Sequence, residues 1–189
     1  MKKGPKFRMP FKRKFEKRTD YRKRLRLLSS RKSRLVVRKT LKHVRAQITE
    51  FDLKGDKTIV SASTQELKKY GWNNPSNNLT SAYLVGLLIG KRALNKKINS
   101  VILDMGLQKN VKGSVNYAVL KGALEAGLSI PHSSEILPTD ERISGKHIIQ
   151  YANKLKKEEP GKYKRQFSSF NPEKIPEMLD KAKKKILKS

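Results

Sequence analysis

The stretch RLVVRKTLKHVRAQITEFDLKGDKTIVSAST, Arg34 to Thr64, decides the fold. It contains three runs rich in Val, Ile and Thr: Arg34 to Thr40, His43 to Phe51 and Lys57 to Thr64. Branched side chains of this kind fit a pleated, half-buried surface. The links are short, and Leu53-Lys54-Gly55-Asp56 makes a hairpin turn because glycine tolerates positive φ. The runs therefore predict an antiparallel meander. In the first run Leu35 and Val37 share one face of the pleat, while Arg34, Val36 and Arg38 share the other. One side then meets helices and the other presents cations.

Downstream, after the turn-like GWNNPSNN, Leu79 to Asn95 is apolar almost all round, as in a helix buried against a sheet and neighbouring helices. Gly86 and Gly90 allow close backbone approach there. Ser100 to Asp104, SVILD, is a short apolar run typical of a central strand. Ser114 is placed to cap a helix through Ala126, with Gly127 as its left-handed stop. Helix, strand and helix joined to a meander predict an α/β fold, a mixed sheet with packed helices. Beyond SIPHSSEILPTDER the pattern predicts a polar helix over Ser144 to Glu159 and another over Pro172 to Leu187. Between them Tyr163, Phe167 and Phe170 form an apolar stripe that pins the tail to the body.

Upstream, Thr19 or Asp20 caps a short helix through Ser33, with Tyr21, Leu25, Leu28 and the stems of Arg22, Arg24 and Arg26 on its narrow apolar side. Met1 to Arg18 is proline-punctuated, basic and poor in aliphatic residues, so it reads as an arm that orders on a partner. The expected organisation is a basic arm (1–18), an α/β body (19–143) and a helical C-terminal extension (144–189).

Charge names the class of partner. Forty-five Lys and Arg stand against 16 Asp and Glu in 189 residues, a formal net charge of +29. Residues 1–46 carry +18 and the remainder +11. Such self-repulsion opposes a compact state unless a polyanion relieves it. There is no cysteine, which removes disulfides, thiolate metal sites and Cys nucleophiles. The longest apolar run, Ala82 to Ile89, is too short to span a bilayer, and MKKGPKFRMPFKRKF lacks the apolar core of a signal peptide. A cytoplasmic protein is expected. Phe7, Phe11 and Phe15 make no wide helical face for a membrane surface.

Catalytic and metal patterns fail on spacing. GLLIGKR has only three residues between its glycines, and no Ser or Thr follows Lys91, so it is not a phosphate loop. His43, His132 and His147 have no ligand-spaced companions. Asp104 is the one carboxylate to tempt a metal-dependent nuclease reading, with Glu125, Asp140 and Glu141 on other elements. Its simpler role is to cap the turn DMG.

The nucleic-acid reading is cumulative. Arg22, Arg24, Arg26, Arg31, Arg34, Arg38 and Arg45, with Lys32 and Lys42, crowd one segment, and arginine makes bidentate phosphate contacts and stacks on bases. That favours structured RNA. Trp72, in KKYGWNNPSNN, either stacks on an unpaired base or closes the core. Lys109 and Lys112 in LQKNVKGSVNYA either face a phosphate at a helix N-terminus or belong to a plain connector. A DNA-compacting protein is the rival binding reading, although helix-turn-helix, zinc-finger and zipper patterns are missing.

TDYRKRLRLLSSRKSRLVVRKTLKHVRAQI, DKTIVSASTQELKKYGW, LTSAYLVGLLIGKRALNKKINSVILDMGL and VLKGALEAGLSIPHSSEILPTDERISGKHI together resemble the large-subunit ribosomal protein eighteen family in its archaeal form. The resemblance implies a structural, non-catalytic protein without cofactor or small-molecule substrate. It would clasp 5S rRNA and help anchor it to 23S rRNA in the central protuberance, beside universal protein five. By position, the resemblance implies RNA contacts at Lys6, Arg8 and Arg13 of the arm, along Arg22 to Arg38, at the Tyr70-Gly71-Trp72 turn, and at Lys109 and Lys112.

Overall fold

The computed structural model describes residues 4, 5 and 7–188. The meander forms as its alternation predicts, from β1 (Arg34–Lys39), β2 (Val44–Glu50) and β3 (Lys57–Ser63), each antiparallel to the next. Its register sets Leu35 opposite Ile48, Val37 opposite Ala46 and Ile48 opposite Val60, so one face is a continuous apolar row. A fourth strand, β4 (Ile102–Asp104), pairs in parallel with β1, giving the order β3-β2-β1-β4. The expectation of a central strand for Ser100 to Asp104 is therefore corrected: the strand is short and lies at the sheet edge. Val101 is fully buried and Ile102 and Leu103 half-buried, so the run carries a central strand's composition without a second neighbour.

Helix α3 (Leu79–Asn95) fills the residues expected of it. Its start is fixed by a reciprocal cap, in which the Ser81 amide donates to Asn78 Oδ1 at 2.8 Å and the Asn78 amide to Ser81 Oγ at 3.2 Å. Helix α4 (Val115–Glu125) crosses α3 at contact between backbones. A Cβ at Gly86 would overlap the Val119 carbonyl, and one at Gly122 the Tyr83 carbonyl. These two helices cover the apolar face of the sheet, and Leu35, Ile48, Leu84, Leu88 and Leu120 lie in their shared core.

Ahead of the sheet, α1 (Lys12–Phe15) is one turn within the arm, and α2 (Tyr21–Ser29) starts at Asp20, whose carboxylate accepts from the Arg22 and Lys23 amides. Helix α2 ends at Ser29 and not at Ser33. The Ser29 and Ser30 hydroxyls donate to the carbonyls of Arg26 and Leu27 at 2.7 Å, and Arg31 turns left-handed at φ 55°, which releases the chain into β1.

The C-terminal third holds α5 (Asp140–Ile143), α6 (Lys146–Glu158), α7 (Pro160–Gln166) and α8 (Ile175–Lys188). Helix α7, opened by Pro160 in its first turn, was not foreseen. The expected aromatic stripe is present, with Tyr163, Phe167 and Phe170 in successive ring contact at 5.3 and 5.5 Å. Helix α8 returns to the body, burying Ile175, Leu179, Ala182 and Ile186 in the same core as the sheet. Lys183 reaches Glu125 of α4 there, and Glu125 also accepts from the Tyr83 hydroxyl. Burial, together with Glu125, pushes that phenol up to about 12.

Candidate nucleic-acid interface

The face of the sheet turned away from α3 and α4 carries Arg34, Val36 and Arg38 of β1 and Arg45, Gln47 and Thr49 of β2, with Arg38 opposite Arg45 in the register. Helix α2 stands over this face without burying any of its residues. Polar tethers hold it: Arg24 grips Asp56 through both terminal nitrogens at 2.8 Å, and Lys23 Nζ donates to the Gly106 carbonyl at 2.9 Å. Between helix and sheet lies a cleft of about 690 Å³, walled by Arg13 and Arg18 of the arm, Tyr21 and Leu27 of α2, and Val36 and Thr58 of the sheet. Phe11 packs on Tyr21 with ring centroids 5.4 Å apart, which leads the arm to the mouth of the cleft.

Across the cleft floor runs an alternating chain of charges, Arg24–Asp56–Arg34–Asp104–Arg38. Arg34 Nη2 lies 2.7 Å from Asp56 Oδ2, out of line for a hydrogen bond, so that contact is Coulombic. Its Nη1 donates to Asp104 Oδ2 at 3.1 Å. Arg38 donates to Asp104 Oδ1 at 3.3 Å and to the carbonyls of Asp104 and Val37 at 2.9 and 2.8 Å. The hydrogen bonds from Arg24, together with Arg34, outweigh partial burial and hold the Asp56 carboxyl down to about 2. The same Asp56 contact raises the Arg24 guanidinium.

Asp104 has the turn role expected of it, accepting the Gly106 amide at 2.8 Å. Its two oxygens are occupied by that amide and two guanidinium groups. The carboxylates weighed beside it lie elsewhere: Glu125 is held by Tyr83 and Lys183, and Asp140 by Lys121. Among the described residues no three His, Asp or Glu are grouped to hold a metal ion, and no helix is long and apolar enough to cross a membrane.

Exposure sorts the expected contact residues. Arg8, Arg13, Arg22, Arg26, Arg31, Lys32, Lys42, Lys109 and Lys112 are exposed. Arg24 and Arg38 reach the surface but are committed to carboxylates. Arg34 is only 1 % exposed, so its charge is spent inside the protein, and it is withdrawn from the contact set. Trp72 is also 1 % exposed, and of its two readings the structure has the one that closes the core. The left-handed Gly71, at φ 87°, turns the indole inward, and Tyr70 beside it is half-buried against the core. Lys6 lies outside the described residues. Lys23 and Asp56 were not anticipated, because their partners are remote in sequence. Arg45 could have been placed on the cationic face from the register with Arg38.

A rigid sheet face and a polar-tethered helix, both dense in arginine and backed by an ordinary α/β core, are the features of an RNA-binding protein that works through shape and charge. Residues 5–101, spanning most of the arm, α2, the meander and α3, match the model of a family described as ribosomal large subunit proteins 60S L5, and 50S L18, and the chain belongs to that family. It is accordingly a structural constituent of the large ribosomal subunit, with ribosomal RNA and neighbouring ribosomal proteins as its partners.

Proposed function

We propose that the chain binds 5S rRNA and helps to anchor it to 23S rRNA in the central protuberance, in the neighbourhood of universal protein five. The observation that supports this reading is the cationic outer face, with its cleft under α2. Arg22, Arg26, Arg31, Lys32, Lys42 and Arg45 are exposed around it, free to meet phosphates along a folded RNA. Each phosphate neutralised releases condensed counterions, which gives affinity that falls with salt. Selectivity comes from placement. The Arg–Asp chain holds the arginines at the cleft floor in fixed positions before RNA arrives, so an RNA of matching shape loses less entropy than a flexible one. The arm around Arg8 and Arg13 adds contacts as it orders between RNA segments, in keeping with a division of the chain into an arm (1–18), a body (19–143) and a C-terminal segment (144–189).

A competition titration tests the reading, with labelled 5S rRNA challenged by transfer RNA and duplex DNA at several salt concentrations. Preference for 5S rRNA that persists as salt rises is expected. Equal displacement by all three would remove the claim of shape recognition.

A further inference from the structure

We infer that a second phosphate-binding site lies at the N-terminus of α4, where it takes a backbone phosphate of the bound RNA; this rests on the RNA-binding reading above. A cleft of about 420 Å³ opens where the parallel strands β1 and β4 end and the loop after β4 enters α4. Crevices outside the carboxyl ends of parallel strands are recurrent ligand sites. Lys39 from the end of β1, Lys109 from the loop and Arg142 from α5 line it, all exposed, and its lining contains no carboxylate.

The helix start is unfinished. Ser114 occupies the capping position, but its hydroxyl makes no capping bond, and Oγ is enclosed without a partner. The amides of Tyr117 and Ala118 donate to the Ser114 carbonyl at 3.0 Å, which leaves those of Val115 and Asn116 ahead of the first helical bonds. A helix N-terminus in that condition favours an anion through its free N–H groups and its dipole.

An independent sign of a missing partner comes from Asn116. It is 4 % exposed and lines the cleft; one end of its amide is bonded to Gln108 at 2.6 Å, while Oδ1 has no partner. Turning both amides about their last bonds keeps the mutual hydrogen bond and makes the free end a donor. A buried polar group left unpaired is costly, and a phosphate oxygen would satisfy it. Leu79, Val111 and Val115 wall the rest of the cleft, which suits a phosphate that carries a sugar over a bare inorganic ion. Lys112, the other lysine of this loop, is turned instead toward Glu135, 2.9 Å away.

The test uses the full chain, labelled with ¹⁵N, and the variant carrying Lys109→Gln and Arg142→Gln. Both side chains are exposed, so an unchanged thermal midpoint is the folding control. Inorganic phosphate, titrated at constant ionic strength, should shift the Val115 and Asn116 amide resonances saturably in the parent protein and not in the variant. With 5S rRNA, the slope of log affinity against log salt should be shallower in the variant by about 1.5, since each phosphate contact contributes about 0.7–0.9. If the two amides fail to respond, or the variant keeps the parent slope while 5S rRNA is still preferred, the site is refuted and the RNA reading stands. A saturable response in a chain without preference for 5S rRNA would keep the anion site and refute its assignment to that RNA.

Discussion

Replacing Arg34 should cost less than replacing the acid it touches. Arg34 is the middle member of a five-residue chain in which each aspartate serves two arginines. In Arg34→Met the buried guanidinium is exchanged for an apolar side chain of similar length. Asp56 keeps Arg24, and Asp104 keeps Arg38 and the Gly106 amide. Exchange of a buried charge for a hydrophobic group, with no charge left unpaired, costs about 1 kcal/mol or less. Asp104→Leu does the opposite. Breaking a buried pair from one side costs about 3–5 kcal/mol. Arg34, with 2 % of its side chain exposed, dominates that cost, whereas Arg38, at 45 %, is well hydrated and contributes little. Because Asp56 still stands 2.7 Å from Arg34, the lower end applies, about 3 kcal/mol. Urea denaturation followed through Trp72, the only tryptophan and a core residue, measures both. With a slope of about 2 kcal/mol per molar, the midpoint should fall by about 1.5 M for Asp104→Leu and about 0.5 M or less for Arg34→Met. Equal losses would refute the argument that each acid has a second partner.

Gly86→Ala should destabilise by about 1–3 kcal/mol despite alanine's better helix propensity, since the added methyl meets the Val119 carbonyl; a raised thermal midpoint would contradict the backbone contact of α3 and α4. Ile186→Ala should cost about 2–5 kcal/mol and shift the same cooperative transition reported by Trp72, whereas an unchanged transition would make α8 an independent appendage. The depressed Asp56 carboxyl contributes stability that is fully present above its unfolded value of 3.8 and is lost as pH falls through about 2. Partial exposure limits this to about 1–2 kcal/mol, so Asp56→Asn should lose that much less than the parent between pH 5 and pH 2, by urea titration at each pH. Joint replacement of Arg22, Arg26 and Arg31 by Gln should leave the urea midpoint unchanged or raised while it weakens 5S rRNA binding and flattens the salt slope by about 2; a lowered midpoint would show these arginines to be structural.

What was legible in the sequence is what depends on local pattern. The meander follows from alternation at Leu35 and Val37 and from the glycine turn at Gly55, and α3 follows from an apolar run bounded by Asn78 and Asn95. Asp20 and Asp104 were identified as caps because capping acts within a few residues. The pairing of Arg34 with Asp104 was not legible, since it joins residues 70 positions apart and exists only once β4 has docked beside β1. On the strand pattern alone Arg34 and Arg38 look alike, both facing outward. Their difference comes from α2 and the β2–β3 turn closing over one end of the sheet, which buries Arg34 and leaves Arg38 half open. Trp72 was ambiguous for the same reason, because its turn is readable but the core it closes is assembled from distant segments, α8 among them.

The positive charge thus has two physical roles, and the acids mark the boundary between them. Most of the 16 acids are engaged in ion pairs, at the cleft floor with Asp56 and Asp104, at the α3–η junction with Glu66, and at the α4–α8 contact with Glu125. The acids available for internal compensation are therefore largely spent on fixing elements to one another. Where an arginine has such a partner, as at Arg24, Arg34 and Arg38, it is a structural member whose geometry is set before any ligand arrives. Where it has none to hand, as across the exposed side of α2, the chain cannot supply the missing counter-charge. Mutual repulsion among those side chains opposes the compact state, and small mobile ions relieve it only by being held near the surface at a cost in entropy. A polyanion of fixed shape relieves the same repulsion and sets those ions free. The fixed arginines determine which shape can approach, and the uncompensated ones supply the driving force once it does.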